Sequence, residues 1–276
     1  LAAHGRIRQC IKQFLERGAQ IVTTRAKAQH QTDTKRVVVG YSGGVTSAWC
    51  LAWALQRYPR TDVVALYHDT KREDADTYRY LHEMADRLGI AITERSDGRS
   101  VEDVEDDEGA IANNRMAFCS RILKTEQKDK YFAELRAAGI SEIVSVLGFS
   151  AHEEQRVQRA TARAWAGRYV VRFPLIETGT TKQQCVDWSH GLGVRVPAMY
   201  AWSDHANCVG CRRGGKAYWL AVKRERPDVF EAMKQREAEK GHTVLKIPLA
   251  ELERVGLKRE VRRREAIDIG PCECGA

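Results

Sequence analysis

The sequence has no apolar run that approaches the roughly 18 residues a membrane-crossing helix requires. Its opening, LAAHGRIRQCIKQF, lacks the long apolar stretch of a secretory signal. A cytoplasmic protein is the resulting expectation. There is no internal repeat and no low-complexity tract, so a solenoid or a disordered chain is not expected. Two nucleotide-binding signatures are also missing: the Gly-x-x-x-x-Gly-Lys of a P-loop and the Gly-x-Gly-x-x-Gly of a dinucleotide fold. Any nucleotide site here has to be built another way.

What is present is an ordinary globular composition. The chain has 276 residues, enough for one large domain or an α/β domain with an attachment. It is 43% hydrophobic and 30% charged, so a buried core is expected. The net charge is +8 and is unevenly spread. Positive charge gathers at 6–36 and again at 216–264, while 102–108 (EDVEDDE) is acidic. A basic surface attracts polyanions, so nucleic acid is a candidate partner; the alternative is that these Lys and Arg only solubilise helices. Residues 1–35 read as a basic helical extension that docks nucleic acid or a partner subunit.

Periodicity supplies the order of elements. Short apolar strands are expected at 36–40, 62–67, 90–94, 142–148 and 169–173. Helices are expected at 47–58 (apolar on nearly every side), 74–88 with Gly89 as its stop, and 125–138 with Gly139 as its stop. The polar, acidic stretch 96–114 reads as a mobile loop. Strands alternating with helices imply an α/β fold with a mostly parallel sheet covered on both faces. From about 180 the pattern becomes mainly helical, with Pro227 opening a helix at 227–240. The expected organisation is therefore 1–35 extension, 36–179 nucleotide-binding α/β domain, and 180–276 helical cysteine-bearing region.

In such sheets, ligands sit at the carboxyl ends of the strands. That would bring the loops YSGGVTS, HDTKRED and GFSAHEEQR into one pocket. In the first loop, Tyr41-Ser42-Gly43-Gly44-Val45-Thr46-Ser47, two glycines let backbone N–H groups approach an anion. The following helix adds its dipole, and Ser42, Thr46 and Ser47 bring hydroxyls.

These segments carry a resemblance. SGGVTSA looks like the PP-loop of the adenine-nucleotide α-hydrolase-like superfamily. YHDTKREDADTYRYL, FCSRILK, VLGFSAHEEQR and FPLIETGTTKQQCVDW resemble, in the same order, segments of its phosphoadenosine-phosphosulfate (PAPS) reductase branch. The resemblance covers about 36–240. It implies a five-stranded parallel sheet ordered 3-2-1-4-5 that binds ATP or a related adenylate. It also marks Tyr41 to Ser47, His68, Asp69, Thr70 and Gly148 as nucleotide contacts. Asp69 is the candidate Mg²⁺ ligand, or else a cap or turn residue. Lys124 and Arg156, with Arg121 and Arg159 beside them, are candidates for neutralising phosphate or sulfate. Three positions depart from the pattern. Thr46 stands where many ATP-splitting members have an acid, Lys71 where reductases usually have glycine, and Ser120 where cluster-bearing reductases have a second cysteine. The retained Gly43-Gly44 leans toward the ATP-using members.

The cysteines are Cys10, Cys50, Cys119, Cys185, Cys208, Cys211, Cys272 and Cys274. Cys50 reads as core, and Cys10 and Cys185 as inert. Cys208-Val-Gly-Cys211 has the spacing of two thiolates on one metal centre. With Cys119 and Cys272 it makes a candidate ligand set for a [4Fe–4S] cluster or, alternatively, zinc. Cys274, in a Glu-Cys-Gly like that of the reductase nucleophile, is the other candidate ligand or a sulfur-carrying thiolate.

Three functions follow. The first is ATP-dependent sulfur transfer to nucleic acid. ATP adenylylates an oxygen with loss of pyrophosphate, and sulfur from a cysteine desulfurase or other donor displaces AMP. Among relatives it looks most like the ATP pyrophosphatase components of DNA phosphorothioation, then tRNA thiolation enzymes. The second is sulfonucleotide reduction by Cys274. The third is nucleotide binding without turnover, which Thr46 keeps open.

Overall fold

The computed structural model describes residues 34–206 and 208–256. Cys10, Cys272, Cys274 and all but the last two residues of the expected 1–35 extension lie outside the described residues.

Strand β1 (Lys35–Gly40) is buried at Val37, Val38 and Val39 and leads into the glycine turn. Helix α1 (Val45–Arg57) returns along the sheet to β2 (Val63–His68). Helix α2 (Ala75–Leu88) follows. Asp74 caps it by accepting from the Asp76 N–H, and Gly89 stops it at φ +64°, a left-handed conformation that glycine adopts freely. Next come β3 (Ile92–Arg95) and α3 (Val101–Asp107). A short turn, Phe118–Ser120, and a π-helical turn, Arg121–Glu126, then run into α4 (Gln127–Ala137). Strand β4 (Glu142–Val146), α5 (Glu154–Ala166) and β5 (Val170–Arg172) complete the sheet.

All four strand pairings are parallel and the order is β3-β2-β1-β4-β5. The chain moves outward one way from β1 to β3, then crosses to β4 on the other side. The loops after β1 and β4 therefore diverge and leave a crevice at the carboxyl edge. Side chains alternate across the sheet. Val37 and Val39 join the core beneath α1, while Val38 packs with Leu66, Phe132 and Ile143 on the opposite face. With both faces covered, the central strands β1, β2 and β4 are mainly apolar, while the edge strand β3 (Ile92–Arg95) is largely polar.

The remaining elements are α6 (Pro174–Thr178), α7 (Lys182–Gly191), α8 (Lys216–Glu225), α9 (Pro227–Lys240) and α10 (Leu249–Val255). Thr181 and Gln184 form a capping box at the start of α7, whose Cys185 and Val186 join the core around α1. Trp219, Phe230, Met233, Leu249 and Leu252 form a second core with Ile111. Cys50 and Cys185 are both fully buried, and Trp53 is core. No helix among the described residues is long and apolar enough to cross a membrane.

The stretch 96–114 is not simply the mobile loop that its polarity suggested. It contains α3, started by a reciprocal capping box between Ser100 and Asp103. Val101 and Val104 share one face and are buried. Glu105, fully buried, accepts from Arg212 Nε at 2.7 Å and from Arg236 Nε at 2.9 Å. The acidic run is thus a docked helix whose charges are matched by residues more than 100 positions later, a partnership that local polarity cannot reveal.

Candidate functional site

The glycine turn is set by close approaches. Gly43 has φ +75°, and a Cβ there would meet Thr77 Cγ2 at 2.9 Å. A Cβ on Gly44 would meet Tyr200 Oη at 3.0 Å, and one on Gly148 would meet the Thr46 carbonyl at 3.1 Å. The loop after β4 thus lies directly on the start of α1. Ser47 closes the turn internally: its hydroxyl accepts from the Ser42 N–H at 3.1 Å and donates to the Gly44 carbonyl at 2.8 Å. Tyr200 Oη accepts from the Val45 N–H at 3.2 Å, and Tyr41 donates to the Leu81 carbonyl. The N–H groups of Gly43, Gly44, Thr46 and Ser47 have no acceptor among the described residues. Four such donors at a helix start form a cradle for an anion. Thr46 lies in the first turn of α1, and Gly44, not a hydroxyl residue, is the N-cap.

The loop after β2 forms the second wall. Burial, with Lys124, Lys128 and Arg95 nearby, pulls His68 down to about 4, so its imidazole is neutral; its Nε2 is buried without a partner among the described residues. Asp69 Oδ1 accepts from the Lys71 N–H at 2.8 Å and the Tyr78 hydroxyl at 2.6 Å. That leaves Oδ2 without a partner among the described residues, one carboxylate oxygen open to a cation. Lys71 sits at φ +56°, the left-handed conformation that explains why glycine suits this position in the reductases it resembles.

Thr70 is buried, in contact with the cysteine-bearing segment. Its hydroxyl lies 3.1 Å from Cys208 Sγ and 3.4 Å from Glu73 Oε1. Glu73, its side chain 3% exposed, pairs with Lys124 Nζ at 3.5 Å and lies 3.6 Å from Cys208 Sγ; its Oε2 is buried without a partner among the described residues. Burial pulls Lys124 down, but Cys208, Glu73 and Cys211 outweigh it and hold the ammonium above its usual range. Cys119, Cys208 and Cys211 all line one small cavity of about 30 Å³ with Arg72 and Arg212. Burial pushes Cys208 up to about 12 against the pull of Lys124, and pushes Cys119 up to about 11 with help from Cys211. The π-helical turn carries Lys124 to Glu73 while Cys119, just before it, lines the cavity; such turns are frequent at functional sites.

A glycine cradle after β1, an Asp-Thr loop after β2 and a β4 loop lying on the cradle together frame the crevice. Residues 36–177 match the family described as Phosphoadenosine phosphosulfate reductase domain. The chain belongs to that family. It is thereby placed in the adenine-nucleotide α-hydrolase-like superfamily, whose members use adenine nucleotides. No curated protein matches the chain. The PAPS reductase domain ends before α7, so Cys208 and Cys211 lie beyond the matched residues.

The three described candidate thiols fit a cluster or zinc only in part. They line one cavity and have soft donor chemistry, but among the described residues no group of three or more His, Cys, Asp or Glu is arranged to hold a metal ion. Cys208 is instead hydrogen-bonded to Thr70 and Glu73. Arg212, which follows Cys211, is buried and held by Glu105 and Glu102. Arg121 is exposed and paired with Glu126 and Glu108. Arg156 pairs with Glu153 and lies over the Phe149 ring at 4.2 Å, while Arg159 is exposed on the solvent side of α5.

Three residues escaped the sequence reading. Glu73 follows Asp69 and Thr70 in the HDTKRED segment and could have been found there. Tyr200 and Lys182 could not, because only the fold brings α7 and the 198–206 segment to the glycine loop. Lys182 Nζ lies 4.3 Å from the centre of the Tyr200 ring and donates to the Asp204 carbonyl. Burial pulls Lys182 down to about 8 and also lowers His205 nearby.

Proposed function

We propose that this protein is an ATP-using sulfur-transfer enzyme whose acceptor is nucleic acid, of the kind that makes phosphorothioate DNA or, next in order, thiolated tRNA. The observation that carries this reading is the glycine cradle, with its unpaired N–H groups, one loop away from three thiols. A cradle alone would serve any adenylate; thiols beside it call for sulfur chemistry.

The acceptor oxygen attacks the α-phosphorus of ATP, and pyrophosphate leaves. The N–H groups of the turn, Lys182 and Arg156 hold the departing phosphates and offset their charge. Asp69 Oδ2 is the candidate Mg²⁺ ligand. The Cys274 thiolate takes the outer sulfur from the persulfide of a donor such as a cysteine desulfurase, whose own thiolate leaves; the Cys274 persulfide then attacks the activated centre and AMP leaves. A second thiol releases the sulfur by forming a disulfide. Cys274 is the proposed sulfur-carrying thiolate, and Cys272 the proposed partner of Cys119, Cys208 and Cys211. A cluster held there would supply thiophilic, redox-active iron. Glu73 and Lys124 fix the position and charge of Cys208.

The second reading is PAPS reduction, favoured by the family match itself and by the Glu-Cys-Gly that contains Cys274. Incubation with ATP, and separately with PAPS plus thioredoxin, divides the two. Pyrophosphate release that rises with DNA or RNA supports the proposal. Sulfite release that is lost in Cys274→Ser supports reduction and overturns it. Binding of ATP without turnover leaves only a nucleotide-binding partner.

A further inference from the structure

We propose that α5 and the turn after it form the track on which a single nucleic-acid strand lies as it enters the glycine-loop crevice; this rests on the nucleic-acid acceptor proposed above. Arg156, Arg159 and Arg163 recur at i, i+3 and i+7, so they share one stripe of α5. Val157 and Ala164 bury the other side against the sheet. All three arginines are exposed. At 1.5 Å per residue the stripe runs about 10 Å.

Charge is the first reason for choosing this face. Arg95, Arg99 and Arg121 each hold a carboxylate, while exposed Arg87, Arg115 and Arg213 have no ion pair among the described residues but do not recur along one helix stripe. The guanidiniums of Arg159, Arg163 and Arg168 have no hydrogen bond or ion pair among the described residues. Arg156 is paired with Glu153, which leaves two unneutralised guanidiniums on α5 and a third just past its end, an arrangement that matches a polyphosphate backbone better than a single acidic side chain.

Backbone strain is the second. Arg168 holds φ +52°, a conformation that glycine adopts without strain and that is strained for a residue with a Cβ. A charged side chain thus occupies a position where the backbone alone would favour its absence.

Two further features choose a single strand and a direction. Trp165 is 77% exposed on the other flank of the solvent face, a platform on which an unpaired base can stack. At its other end the stripe meets the site: Arg156 lies on Phe149, beside Gly148, whose backbone abuts Thr46.

The test is fluorescence anisotropy of a labelled 20-nucleotide oligodeoxythymidylate, titrated with the full chain between 50 and 300 mM salt. The unaltered protein should bind with an affinity that falls steeply with salt. Each phosphate contact contributes a slope of about −0.7 for single strands, so Arg159→Ala with Arg163→Ala should flatten the slope by about 1.4 and weaken binding about tenfold near 150 mM. Arg168→Gly should weaken binding about fourfold without lowering thermal stability, because it relieves the backbone while removing the charge. Trp165→Ala should cost about fivefold or more on the single strand. Unchanged affinity and slope in the arginine variants overturns the proposal, as does displacement by polyglutamate as effective as by unlabelled oligonucleotide, or a duplex that binds more tightly than the strand. ATP binding is measured in parallel on the unaltered chain. Its failure alongside arginine-dependent strand binding would count against the proposed function and leave the track standing.

Discussion

Glu105→Ala should be among the most destabilising single substitutions in this protein. Glu105 is fully buried and Arg212 is 3% exposed. The carboxylate accepts from Arg212 Nε at 2.7 Å, Arg212 Nη2 at 3.1 Å, Arg236 Nε at 2.9 Å and the Ala112 N–H at 3.1 Å. Removing one partner of a buried pair costs about 3–5 kcal/mol, because the other charge is left in a poor solvent. Glu102 still reaches Arg212 Nη2 at 2.8 Å and is partly exposed, which places the expectation at the lower end, about 3 kcal/mol. The double variant Glu105→Leu with Arg212→Met removes both charges and should recover about half of that loss or more. Urea unfolding followed by circular dichroism measures both. Since α3 then loosens from the segment carrying Cys208 and Cys211, the variant thiols should also react faster with a thiol reagent. A shift below about 1 kcal/mol, or a double variant no better than the single, would refute the view that this pair locks α3 to the cysteine-bearing region.

Gly43→Ala and Gly148→Ala should each weaken ATP binding at least tenfold in calorimetric titration. The first forces an alanine to φ +75° against Thr77 Cγ2 at 2.9 Å, and the second presses a methyl on the Thr46 backbone at 3.1 Å. Lys182 is charged below about 8 and neutral above, so ATP affinity should fall as pH rises through 8; Lys182→Met should lack that limb and Lys182→Arg should hold affinity at pH 9. For stability, the folded state binds fewer protons than the unfolded chain between about 8 and the ordinary 10.5, so the contribution of Lys182 to stability rises across that window in pH-dependent unfolding. After anaerobic reconstitution, iron and sulfide should be bound by the unaltered chain and lost in Cys119→Ser, Cys208→Ser and Cys211→Ser; a colourless protein with one zinc overturns the cluster.

The sheet was legible because its code is local. Mainly apolar central strands, glycine stops at Gly89 and Gly139 and the proline opening α9 each act within a few residues, and each is found where expected, with strand ends shifted by one or two positions. The glycine turn was legible because φ and close approach restrict the residue types that can stand there. Other features depend on distance along the chain. The polarity of 102–108 suggested a loop, since nothing nearby shows that Arg212 and Arg236 will bury Glu105. Tyr200 reaches the cradle, and Lys182 the Tyr200 ring, only through the packing of α7 on α1. The cysteine set was half legible: spacing linked Cys208 to Cys211, and the fold adds Cys119 to the same cavity, whereas the involvement of Glu73 and Thr70 emerges only when the loop after β2 lies against Cys208.

The central claim is that the Gly43-Gly44 cradle binds ATP. Isothermal titration of the full chain with ATP and Mg²⁺ tests it most directly, with Gly44→Val as the comparison, since a side chain there drives into Tyr200 Oη at 3.0 Å. The account predicts saturable binding at one nucleotide per chain that Gly44→Val abolishes. The absence of saturable binding, or equal binding in the variant, would contradict it.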